Sequence, residues 1–151
     1  DEIAEIREEL IQTGFIRRRQ REKIQKRKKP EKYLASDGKT IILVGRNNLQ
    51  NEELTFKIAR KEELWFHAKD IPGSHVVISG NLNPSDEVKT DAAELAAYYS
   101  KGRLSNLVQV DMIEVKRINK PTGGKPGFVT YTGQKTLRVT PDPDKIHSMK
   151  L

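Results

Sequence analysis

Three histidines, His67, His75 and His147, are the chain's only imidazoles. His67 and His75 flank a turn containing Asp70, an arrangement that invites a metal site. Their spacing of eight residues across a turn matches neither a helical histidine pair nor a zinc-finger pattern. Histidines so placed more commonly hydrogen-bond within a sheet or line a contact surface. Ser74 stands in Pro-Gly-Ser-His and lacks the GxSxG setting and positioned base that a serine nucleophile requires. The absence of cysteine removes disulfides, thiolate metal sites and thiol nucleophiles. Asp86, Glu87, Asp91 and Glu94 recur along one predicted helix, where they suit its solvent face and its first turn. Nothing in the sequence calls for an enzyme, so no catalytic residue, metal or cofactor is expected.

Other residues point to recognition of polyanions and bases. Gly-Arg-Asn-Asn-Leu-Gln-Asn gathers Arg46, Asn47, Asn48, Gln50 and Asn51 just ahead of a predicted helix. Helix amino termini offer free N–H groups to phosphate, arginine adds a forked donor, and amide side chains can read base edges. Helix capping and turn formation would use the same asparagines without any ligand. In Trp-Phe-His-Ala-Lys-Asp, strand alternation sets Trp65 and His67 on one face and Phe66 on the other, with Lys69 at the exit. Trp65 is either a base-stacking platform or core, and a lone tryptophan favours core. Lys120 and Lys125 lie in a Gly/Pro loop whose backbone can approach phosphate, or which simply joins two strands. Lys101 and Arg103, after the second predicted helix, suit the helix dipole with no ligand at all.

Charge is unevenly placed. Residues 17–29 hold nine of the 28 basic residues and one of the 21 acids, so the other 138 positions carry 19 bases against 20 acids. The body is near neutral and one segment carries the excess. Arg17, Arg18, Arg19, Arg21, Lys26, Arg27, Lys28 and Lys29 are its candidate phosphate contacts, through sequence-independent counterion release. A solvated linker is the alternative.

These residues need a scaffold. Ile3, Ile6 and Leu10 fall at helical spacing, predicting an amino-terminal helix that resembles the tail of a coiled coil. Pro30 marks the border between this helix with its basic linker, residues 1–30, and a compact domain, residues 31–151. Within that domain Asp37-Gly38 predicts a hairpin between Tyr33–Ala35 and Thr40–Val44. A helix follows, capped by Asn48 or Asn51. Strands are expected at Leu64–His67, His75–Ile78 and Leu107–Val115, with a second helix from Ser85 to about Lys101. A final hairpin is expected between Phe128–Tyr131 and Thr136–Val139, before an irregular tail. The fold class is α+β: a single compact mixed domain, an antiparallel-rich sheet with two packed helices. No apolar run approaches the roughly 20 residues of a membrane span. A start at Asp1 rather than Met reads as a piece of a longer protein.

Four segments together, SDGKTIILVGRNNLQNEELTFKIA, LWFHAKDIPGSHVVI, ELAAYYSKGR and KPTGGKPGFVTYTGQKTLRVTP, resemble the RNA-binding domain of the NFACT family over roughly residues 31–141. The resemblance implies a part in rescue of stalled ribosomes. Members bind the large ribosomal subunit with peptidyl-tRNA in place and recruit aminoacyl-tRNA, and the bacterial form supports untemplated alanine tailing. It implies tRNA and large-subunit rRNA as partners, a cytoplasmic location, and no membrane insertion. Members in Gram-positive cocci are also known as fibronectin-binding proteins, sometimes anchorless on the cell surface, so fibronectin or a host surface is the alternative partner. Motif and chemistry together select Arg46, Asn47, Asn48, Asn51, His67, Lys69, His75, Lys120 and Lys125 as RNA-binding candidates. Asp70, Pro72, Gly73 and Ser74 are expected to hold the turn.

Overall fold

The computed structural model describes residues 29–151. The predicted amino-terminal helix and the basic positions before Lys29 lie outside the described residues; Lys29 itself is exposed. Six strands form one fully antiparallel sheet: β1 (Glu31–Leu34), β2 (Ile41–Val44), β3 (Leu64–Ala68), β4 (Val76–Ser79), β5 (Val108–Glu114) and β6 (Lys135–Val139), in the order β1-β2-β4-β3-β5-β6. Among the described residues three α-helices accompany the sheet, besides a short 3-10 turn at Val115–Arg117: α1 (Asn48–Glu53), which runs on as a π-helical turn over Leu54–Ile58, α2 (Asp86–Tyr98) and α3 (Pro143–Met149). None is long and apolar enough to cross a membrane.

The first hairpin is locally specified. Asp37 accepts from the backbone N–H of Lys39 (3.0 Å) and Thr40 (2.8 Å), and Gly38 takes a φ of +74° that a residue bearing Cβ adopts at a cost. Ser85 caps α2 by accepting from Val88 N–H at 3.3 Å, and Asp86 and Glu87 fill the first turn where the dipole favours them. The buried stripe of α2, Val88, Ala92, Ala93, Leu95, Ala96 and Ala97, is alanine-rich, so the helix can sit close to the sheet. It covers one face, with Tyr33, Ile42, Val44, Phe66, Val76, Ile78, Val110 and Ile146 in the same core. The opposite face carries a second cluster, Leu43, Leu54, Trp65, Val77, Ile113, Val115 and Ile118, roofed partly by Val129 and Tyr131.

Several expectations are corrected. The cap of α1 is Asn47, whose Oδ1 accepts from Gln50 N–H at 2.9 Å, not Asn48 or Asn51. The helix from Ser85 ends at Tyr98, short of Lys101. Residues 128–131 do not pair with β6; β6 pairs with β5, and Thr130 bridges back to Asn119. A β-rich sequence near a turn signal fits several strand partners, and the free edge of β5 took β6. The tail is not irregular: Asp142 caps α3 and Pro143 opens it, adding a third helix to the two expected. Asp91 is not on a solvent face. It is fully buried and accepts from Ser36 N–H (2.7 Å) and Ser36 Oγ–H (2.9 Å), with Lys145 Nζ at 2.9 Å, tying hairpin, α2 and α3 together.

Candidate nucleic-acid interface

Two adjoining grooves open where the loop after β2, the turn after β3 and the end of α2 meet. The first, about 510 Å³, is lined by Arg46, Asn47, Asn48 and Asn51 on one side and by Pro72–Ser74, Tyr98–Lys101, Arg103 and Leu104 on the other. The second, about 370 Å³, shares Asn48, Asn51, Pro72 and Gly73 and continues to His67, Asp70, His75, Gly127, Phe128 and Tyr131.

The loop that carries Arg46 is held shut from behind. Gln50 Oε1 accepts from Arg46 N–H at 2.7 Å, and buried Asn51 Oδ1 accepts from His75 N–H at 3.0 Å. A Cβ on Gly45 would fall 2.2 Å from that same Asn51 oxygen, so only glycine fits there. Arg46 is steered by the Tyr99 ring, whose centroid lies 3.9 Å from its guanidinium carbon, and by Glu31 at 3.2 Å. Burial alone would raise the Glu31 carboxyl, but the Tyr33 hydroxyl at 2.8 Å and the Arg46 charge outweigh it and hold the carboxyl low. Arg46 is thus fixed in direction while its side chain stays 40% exposed at the groove rim.

Across the groove, exposed Lys101 and Arg103 face the same space. The sequence offered both only as helix-end cations. The packing of the α2 terminus against the turn, through Ser74 N–H to Tyr99 C=O (2.9 Å) and Lys101 N–H to Pro72 C=O (3.0 Å), puts them beside Arg46. Among the described residues no ion pair engages Lys101, Arg103 or exposed Lys125.

The other lysine candidates are tied to carboxylates. Lys120 pairs with Glu52, whose second oxygen accepts from Gly127 N–H at 2.8 Å, so this pair pins the 119–127 loop to α1. Lys69 reaches Asp111 at 3.5 Å. Asp111, 3% exposed, also accepts from Tyr131 Oη–H (2.7 Å) and Thr136 Oγ1–H (3.1 Å), and it stands in register with His67. The sequence reading missed Asp111. Its one legible signal was a carboxylate inside a strand pattern, where β-propensity disfavours it.

The floor beneath the second groove is aromatic. The Trp65 and His67 rings lie stacked at 5.7 Å, and Trp65 meets His75 (5.0 Å) and Tyr131 (5.1 Å) edge to face. The Thr55 hydroxyl accepts from Trp65 Nε1–H at 3.1 Å and lies 2.7 Å from His75 Nδ1. His67 and His75 face each other edge-on at 5.6 Å. Among the described residues no group of three His, Cys, Asp or Glu side chains is placed to hold a metal ion.

Both imidazoles are driven toward the neutral form. Burial pushes His75 down to about 3, the neighbouring His67 adds to this, and backbone contacts to Gly127 and Asn51 oppose it. Burial likewise lowers His67, against the pull of Ala68, Asp111 and Gly73. An unfolded chain takes up a proton on His75 near pH 6.5, which the folded chain refuses. The stability this histidine contributes is therefore present above pH 6.5 and lost as pH falls toward 3. His75 alone should cost about 1.4 kcal/mol at pH 5.5 relative to neutral pH, with His67 adding in the same direction. Urea midpoints at pH 7.5, 6.5 and 5.5 measure it; an unchanged midpoint would mean that folded His75 accepts the proton.

An antiparallel α+β body carries a donor-lined groove rimmed by cations, a surface suited to a polyanion. The family model described as the NFACT protein RNA binding domain matches residues 29–134, and the chain belongs to that family. Over 99% of its length it is 91% identical to the Rqc2 homolog RqcH of Streptococcus pneumoniae serotype 2 and 80% identical to that of Streptococcus suis. It is 47% identical to the Rqc2 homolog RqcH of Bacillus subtilis. The chain spans about a quarter of the length of these curated relatives. The solved C-terminal part of the fibronectin/fibrinogen-binding protein from Streptococcus suis shares the fold, with a TM-score of 0.82 and 80% identity over 99% of this chain and 61% of that one.

Proposed function

We propose that this domain is a non-catalytic RNA-binding module that helps hold tRNA or rRNA on the large ribosomal subunit during ribosome-associated quality control, where stalled chains receive alanine tails. The observation that carries the reading is the convergence of Arg46, Lys101 and Arg103 on one groove. Three cations at a concave wall suit a ribose-phosphate chain, which supplies closely spaced negative charge. Family membership and the name of the relatives support the same direction.

In this reading Arg46, Lys101, Arg103 and Lys125 meet phosphate. Asn47 and Asn48, exposed at the rim, donate to sugar or base edges. Asn51, His75, Lys69 and Lys120 act indirectly, since their side-chain or ring partners lie within the domain and they hold the loops that present the others. His67 lines the second groove as a neutral hydrogen-bonding group. The work is that of a cytoplasmic protein.

The test is filter binding of tRNA and of fibronectin to the same chain, side by side, at two salt concentrations. RNA binding should be tight at low salt and fall steeply as salt rises. Retention of fibronectin but not tRNA at moderate salt would reverse the reading in favour of adhesion.

A further inference from the structure

The two grooves differ in chemistry although they share a wall. The first carries Arg46, Lys101 and Arg103. Among the described residues the second has no lysine or arginine in its lining; it carries the carboxylate of Asp70, two imidazoles and the rings of Phe128 and Tyr131. A carboxylate at its mouth repels phosphate but accepts from the amino edge of a base. Phe128 is 58% exposed and forms one side of this groove. Its loop is anchored, because Gly127 N–H donates to Glu52 at 2.8 Å and Phe128 N–H donates to Lys125 C=O at 3.1 Å. The ring is therefore presented from a fixed backbone. A volume of about 370 Å³ is at the small end for ligand sites, which run from roughly 300 to 1,000 Å³, and suits one base with its ribose.

We propose that the second groove takes a single unstacked nucleobase, with Phe128 as its stacking face, from the same RNA whose backbone crosses the cationic groove beside it. This rests on the RNA-binding reading and adds to it a requirement for an unpaired nucleotide. Neutral His67 and the Asp70 carboxylate line this groove and can pair with a base edge, and Asn48 lines both grooves.

The test uses the full 151-residue chain with two RNA probes, a stem-loop with an unpaired loop and a blunt duplex of the same stem. Phe128→Ala should weaken stem-loop binding about ten-fold or more, as loss of one base–aromatic stack does, and leave duplex binding in place. Phe128→Tyr should restore the stem-loop affinity. Arg103→Glu should weaken both probes. If Phe128→Ala weakens neither probe, or both equally, the base site is overturned while RNA binding stands. If the parent chain binds neither RNA, the RNA-binding reading itself fails and the base site with it. Urea midpoints of the variants show whether each remains folded.

Discussion

Trp65→Ala should destabilise the domain by about 3–5 kcal/mol, the usual cost of removing a buried large aromatic side chain. Trp65 is fully buried on β3, which lies between β4 and β5. Its loss opens a cavity against His67, His75 and Tyr131, and it strips the Thr55 hydroxyl of its indole donor. The two penalties add, because the rings around the site are fixed by their own partners and cannot collapse inward: Tyr131 is held by Asp111, and His75 by Thr55 and Asn51. Trp65→Phe keeps ring volume in part and should cost less. Urea unfolding followed by far-UV circular dichroism measures both, since the only indole of the chain is removed. A Trp65→Ala domain that melts cooperatively near the parent temperature would show that the indole is not a packing residue.

Charge reversal in the basic segment should have the larger effect on binding. With Arg17, Arg18, Arg19 and Arg21 changed to glutamate, RNA affinity near 50 mM salt should fall roughly hundred-fold or more. The decline should be uniform across RNA sequences, because counterion release reads charge density and not bases. The plot of log affinity against log salt should also flatten, by about 0.7–0.9 in slope for each phosphate that is no longer neutralised. This pattern separates the segment from the base site: Phe128→Ala acts on one class of RNA, whereas the arginine changes act on all. An unchanged salt slope would remove these four arginines from the interface.

Much of the fold was legible because it is written in local signals. Asp37-Gly38 marks its hairpin through an aspartate that accepts from the next turn's N–H groups and a glycine that tolerates positive φ. Ser85 with Asp86 and Glu87 marks the start of α2. Alternation in Leu64–Ala68 separates Trp65 from Phe66, and each occupies a different core. The misplaced hairpin at Phe128–Tyr131 shows where local reasoning ends. Two short β-prone runs beside a turn are compatible with pairing to each other or to a distant strand, and here β6 pairs with β5 while Val129 and Tyr131 roof the core that holds Trp65.

The candidate site divides in the same way. Arg46, Asn47 and Asn48 announced themselves by composition, and the structure keeps them at one rim. By itself the sequence determined the class of chemistry: donors and cations in abundance, no thiol, and a concentrated basic run. Tertiary structure alone decided which of those donors are available. It turned Asn51 and His75 inward, matched Lys120 with Glu52 and Lys69 with Asp111, and brought Lys101 and Arg103 across a groove from Arg46. The reason is physical: a side chain's type fixes what it can bond, but its nearest partner in space fixes whether that capacity is already spent. Glu52 and Lys120 stand 68 residues apart, so no window of the sequence contains both.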